Sequence, residues 1–159
     1  MSNLYTMFKT EEKHETQGVW LEYGRTDPTP EHPEGEPIRI KIARAGGKNM
    51  SFNKALEKAT RPYRKAIQTG TIALDTIENL YREVFVDHVV LDWTNVSAPI
   101  KDASGAVTGF ELLPYKRDNV LRVLIDLPDL YNDLKEQANS LSLFREDERE
   151  ADLGNSGQS

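Results

Sequence analysis

The sequence predicts an α+β domain, mainly helical, with a central buried helix and short antiparallel β pairs to one side. Three observations point there. Residues 74–93, LDTIENLYREVFVDHVVLDW, are apolar nearly all round at helical spacing, the pattern of a helix packed on several sides. IRIKIAR (38–44) instead alternates strictly, with Ile38, Ile40 and Ile42 on one face and Arg39, Lys41 and Arg44 toward water, as a half-buried strand does. A chain of 159 residues is also long enough to bury about two-thirds of its unfolded surface in one core.

The remaining elements can be taken in chain order. Residues 1–17 are polar except for an apolar cluster at Leu4, Tyr5, Met7 and Phe8, and read as a flexible N-terminal segment. GVWLEYG (18–24) alternates Val19, Leu21 and Tyr23 against Trp20 and Glu22, a second strand. Between the strands, RTDPTPEHPEGEP (25–37) holds four of the eight prolines, which remove donors and fix φ, so it is a loop. Two strands flanking such a loop predict an antiparallel pair.

From Ser51, expected to cap the next helix, the period becomes helical through Phe52, Leu56 and Ala59, with Pro62 kinking the chain near Thr60. A continuation from Tyr63 stops at Gly70. After the 74–93 helix, DASG and Gly109 mark a small hairpin. Residues 115–128 carry Val120, Val123, Leu124 and Leu127 and stop at Pro128, which suits the first turn of a last helix over 129–144. One domain therefore spans 18–150, and 151–159 read as a disordered tail.

Composition removes several function classes. A formal charge of −6 argues against nucleic acid as partner, which needs a net basic face. The basic group Arg39, Lys41, Arg44, Lys48 and Lys54 reads as a solvated face in this acidic chain. Without cysteine there is neither a disulfide nor a thiolate-bound metal. No apolar run is long enough to span a membrane, and the start lacks the order of a signal peptide, so the cytoplasm is expected.

No motif carries catalysis. ARAGGKNMS (43–51) sits between strand and helix as a phosphate loop would, but it fits neither GxxxxGK[ST] nor GxGxxG. Its two glycines are expected to supply positive φ in a tight turn. His88 lies beside Asp87 and one helical turn from Asp92, yet no second histidine converges with it. No catalytic, metal or cofactor-binding residue is expected, and no cofactor.

The series as a whole is more informative. It runs through IARAG (Ile42–Gly46), PYRKAI (Pro62–Ile67), VVLDW (Val89–Trp93), LIDLPDLY (Leu124–Tyr131) and ANSLSLFR (Ala138–Arg145). Over residues 18–150 this resembles the tail assembly chaperones of long-tailed, non-contractile-tailed (siphovirus) bacteriophages. It departs from their pattern at Gly47, where asparagine is expected, and at Tyr131, where phenylalanine is commoner. The resemblance implies a non-enzymatic role in virion morphogenesis. Such a chaperone binds the tape measure protein, keeps it soluble and helps recruit tail tube protein. It works in the host cell cytoplasm and is absent from the mature virion. Many such proteins also have a longer form made by ribosomal frameshifting. The alternative is a structural tail or head–tail connector subunit.

Two surfaces are candidates for partner binding or self-association. Leu141, Leu143 and Phe144 extend the apolar stripe of the last helix beyond Leu130 and Leu134, which are expected to dock on the central helix. Leu4, Tyr5 and Phe8, with Met7, form the other.

Overall fold

A computed structural model describes residues 3–145. About 49% of the described residues are in helix and 20% in strand, arranged as an α+β fold with small antiparallel sheets. Strands β1 (Val19–Arg25), β2 (Pro37–Ile42) and β3 (Val90–Thr94) form an antiparallel sheet with β2 in the middle. Ile40 lies between Leu21 and Trp93, and Ile42 between Val19 and Val90, so the buried side chains of three strands meet on one face. The proline-rich stretch between β1 and β2 is the expected loop, closed where Thr26 N–H donates to Glu36 O at 2.8 Å.

Helices α3 (Met50–Thr60), α4 (Arg64–Thr69), α5 (Leu74–His88), α6 (Arg117–Asp126) and α7 (Pro128–Ala138) supply the other layer. Aromatic rings join them edge to face: Phe52 of α3 meets Tyr81 of α5 at 5.9 Å, and Phe85 of α5 meets Tyr131 of α7 at 5.4 Å. Such pairs contribute about 0.5–1.5 kcal/mol beyond their burial. Val84, Phe85 and Val86 sit in the core with Val120, Leu124 and Leu134, which makes the second half of α5 its centre. The first half is more open, with Leu74 and Ile77 exposed.

The secondary structure differs from the sequence expectation at four places. The helix expected to run to Trp93 ends at His88, and VLDWT becomes β3. Val89, Val90 and Leu91 in succession satisfy either period. The β-branched pair Val89-Val90 and the unpaired side of β2 decide for a strand, and Val90 and Trp93 then face the core. The α3 cap is Asn49, whose side chain accepts from Phe52 N–H at 3.4 Å, and Ser51 instead donates to that cap at 3.1 Å.

The last helix stops at Ala138, where Asn139 turns its side chain onto Lys135 O at 2.8 Å, and a 3₁₀ turn, Ser142–Phe144, folds back. Asparagine and serine compete for backbone bonds in this way and make poor helix interiors. Finally, residues within 1–17 are structured as α1 (Leu4–Phe8) and α2 (Glu12–Gln17). The tail expected at 151–159, and the end of the domain at 150, lie outside the described residues.

The hairpin is present as β4 (Ser97–Lys101) and β5 (Val107–Leu112), a separate two-stranded sheet. Asp102 closes its turn by accepting from Ser104 Oγ at 2.6 Å, Ser104 N–H at 2.9 Å and Ala106 N–H at 3.0 Å. Those bonds, the Ser104 hydroxyl foremost, hold its carboxyl below the ordinary value. Trp93 ties the hairpin's exit to the body by donating its Nε1–H to Leu113 O at 2.9 Å.

Candidate partner-binding surface

The joint at 43–51 is where a phosphate site would lie, and its geometry is that of a turn. Gly46 and Gly47 have φ of 119° and 53°, conformations that glycine adopts at least cost. A Cβ on Gly47 would stand 2.6 Å from Glu15 Oε1. Arg44, expected toward water, is largely buried and pairs with the fully buried Glu15 of α2. Asn49 fills the helix start, donating to Arg44 O at 2.8 Å and His88 O at 3.1 Å. The side chains of Arg44 and Asn49, which a phosphate would use, are therefore engaged within the protein.

His88 faces Ser51 Oγ at 3.2 Å. Asp92, placed on β3, is not its neighbour on a helix face, and Asp87 is held by Arg117 at 2.7 Å. Among the described residues no group of three or more His, Asp or Glu side chains could hold a metal ion. No helix among them is long and apolar enough to cross a membrane.

A groove of about 530 Å³ between α5 and α7 is lined by Ile77, Tyr81, Arg82, Tyr131 and Lys135 among others. Lys135 Nζ lies 4.2 Å and the Arg82 guanidinium 5.5 Å from the Tyr131 ring centroid. Burial, and then the neighbouring Tyr81, push the Tyr131 hydroxyl well above its ordinary value, so it stays protonated there. That environment favours neutral packing rather than proton transfer.

The N-terminal cluster has a different character. Asn3 caps α1 by accepting from Thr6 N–H at 2.9 Å, so even this five-residue helix has a defined start. None of its residues is buried: Leu4, Tyr5 and Phe8 are 71%, 85% and 63% exposed. The chain just beyond α1 is held firmly. Thr10 is buried, Glu11 N–H donates to Phe144 O at 2.9 Å, and the Arg145 guanidinium donates to Met7 O. Arg44 N–H donates to Glu15 O at 2.9 Å. The result is a short apolar helix displayed from an anchored base. Beside it Leu4, Tyr5, Phe8, Lys9, Thr10 and Lys48 line a shallow concavity of about 590 Å³.

The C-terminal candidate does not survive as a surface. Phe144 is 0% exposed, and Leu141 and Leu143 are half-buried. They were expected on an extended helix, but the reversal after Ala138 turns Phe144 into the core and Leu143 against it. Leu130 and Leu134 do pack inward as expected. Sequence reasoning missed Lys48 and Lys9 at the rim of the concavity. The double glycine before Lys48, with positive φ at both positions, was the available signal of a turn there.

A family model described as YdaY prophage protein matches residues 46–155, well over half of the chain. The chain belongs to that prophage protein family. It is thus a phage-derived protein. The match begins at Gly46, so it takes in α3 to the 3₁₀ turn, while α1, α2, β1 and β2 precede it. No curated protein and no solved structure matches the chain.

Proposed function

We propose that this prophage protein is a tail assembly chaperone acting in the host cell cytoplasm. It binds the tape measure protein, keeps it soluble, helps recruit tail tube subunits and leaves before the virion is complete. It does so by binding alone, with no catalytic step. The observation that carries the reading is α1, where Leu4, Tyr5 and Phe8 stand exposed on a base bonded to the chain at Phe144. A long protein with apolar helical stripes needs such anchors on its partner until its own subunits arrive.

Prophage family membership supports the setting. The net charge of −6 would keep many copies apart in solution while they crowd along one client. Several residues of the chaperone-like motifs, among them Trp93, Leu124, Tyr131 and Ala138, are buried. That part of the resemblance therefore concerns the scaffold, and partner choice is left to displayed positions such as α1.

The experiment is co-expression of the phage's tape measure protein with wild type or with Leu4→Asp/Phe8→Asp. Losing an anchoring aromatic typically costs about 2 kcal/mol or more of binding. The tape measure protein should then fall to the solubility it shows without the chaperone. A folded double variant that solubilises its partner as well as wild type does would overturn the reading.

A further inference from the structure

The outer edge of β5 carries a second recognition surface. Leu113 N–H donates to Val96 O at 2.8 Å, and the ladder continues Ser97↔Leu112, Ala98↔Glu111, Pro99↔Phe110, Ile100↔Gly109. In an antiparallel pair the hydrogen-bonded pairs alternate. Ala98–Glu111 and Ile100–Gly109 therefore exchange bonds with each other. Phe110 and Leu112 fall on the other pairs, so their N–H and C=O groups point away from β4, and no strand lies beyond among the described residues. The same two side chains are 69% and 67% exposed and share one face of the strand.

The hairpin's two edges are treated differently. On β4 the outward position opposite Phe110 is Pro99, which has no N–H to offer, and that edge borders a groove lined by Tyr23, Ile38, Leu127 and Leu130 among others. Proline is a common way to blunt an edge. β5 has no proline and a single charge, Glu111, and no strand covers it among the described residues.

We infer that β5 pairs antiparallel with β5 of a second copy of this chain, giving a four-stranded sheet β4–β5–β5–β4. A two-fold axis beside Phe110 sets each Phe110 opposite its counterpart and each Leu112 near Thr108 of the other copy. Every outward donor at Phe110 then meets an acceptor of the identical strand, as an isologous contact requires.

Charge and size favour this occupant. In a chain of net −6 most faces repel a second copy, but here the charge is offset: Arg122 lies 3.8 Å from Glu111. A two-stranded ribbon is also below the three strands that usually stand alone, and pairing doubles it. The edge is only six residues long, so the contact stays far below the roughly 1,200 Å² of a stable interface. It forms by mass action when copies are concentrated.

The test is sedimentation velocity on the full chain over about two decades of concentration, with backbone amide exchange read at Phe110 and Leu112. Wild type should shift from monomer toward dimer as concentration rises, with both amides becoming protected in step. Phe110→Pro, which takes away an outward donor and no bond of the β4–β5 ladder, should remain monomeric, as should Phe110→Lys/Leu112→Lys. Unchanged far-UV dichroism shows that each variant is folded. A wild type that stays monomeric throughout overturns the inference, as does a dimer that survives both variants. Amides protected only on adding a tape measure segment would likewise overturn it and assign the edge to a partner strand.

Discussion

The two ends of the described chain offer a controlled comparison. Leu4, Tyr5 and Phe8 near one end, and Leu141, Leu143 and Phe144 near the other, are similar sets of apolar residues at close spacing. They even lie together, since Glu11 N–H reaches Phe144 O at 2.9 Å. Yet Phe144 is fully buried and Phe8 is largely exposed. The difference is one of backbone course. After Ala138 the chain reverses and carries its aromatic inward, whereas α1 is held through Lys9–Glu11 with its side chains pointing out. An apolar stripe read from sequence therefore marks surface only once the direction of the chain is known.

Substitutions can sharpen that contrast. Phe144→Asp should have the largest effect, because it removes a buried aromatic and buries a charge. The loss exceeds about 5 kcal/mol, comparable with the whole stability of a domain this size. No cooperative thermal transition should remain, and a melt near the wild-type temperature would return Phe144 to the surface.

Glu15→Ala comes next. It leaves Arg44 without its buried partner at the base of α1, at a cost of about 3 kcal/mol. That figure is the low end for a broken buried pair, since the Arg44 side chain keeps 23% exposure. Urea unfolding should show the midpoint falling with an unchanged slope.

Leu4→Asp/Phe8→Asp should shift stability within about 0.5 kcal/mol, as exposed substitutions do, while abolishing partner solubilisation. A large drop in melting temperature would mean that α1 packs against the body after all.

The smallest effect is at Tyr131→Phe, read through pH. Burial raises the pKa of Tyr131 in the folded protein, and of Tyr81 and Tyr23 as well. A raised folded value stabilises fully below the ordinary tyrosine value near 10 and is lost as pH climbs from there toward the folded value. Wild type should accordingly lose melting temperature above that pH. Tyr131→Phe should show a shallower alkaline decline and little change at neutral pH.

Much of the fold was legible because its signals were local and unambiguous. Alternation at Ile38, Ile40 and Ile42, the prolines between β1 and β2, and the DASG turn each permit one structure. Where apolar residues stood in succession, as at Val89–Leu91, the period carried no information, and the choice fell to the open side of β2. The candidate site was half legible: the residues of α1 stand out in the sequence, but their anchoring does not. Glu15 and Arg44 are 29 residues apart, and neither looks buried in its own neighbourhood. The open edge of β5 was hidden for a related reason, since which backbone groups face outward depends on register, and register is set by the partner strand.

The bond from Glu11 to Phe144 also has a consequence in time. It joins residues made far apart in the order of synthesis, a contact of very long sequence separation. The base of α1 therefore cannot be completed on the ribosome until residue 144 has emerged. Domains take shape from the N-terminus as they are made, but this one must leave its first two helices waiting. Leu4, Tyr5 and Phe8 therefore reach their final stance only once the chain around Phe144 is in place.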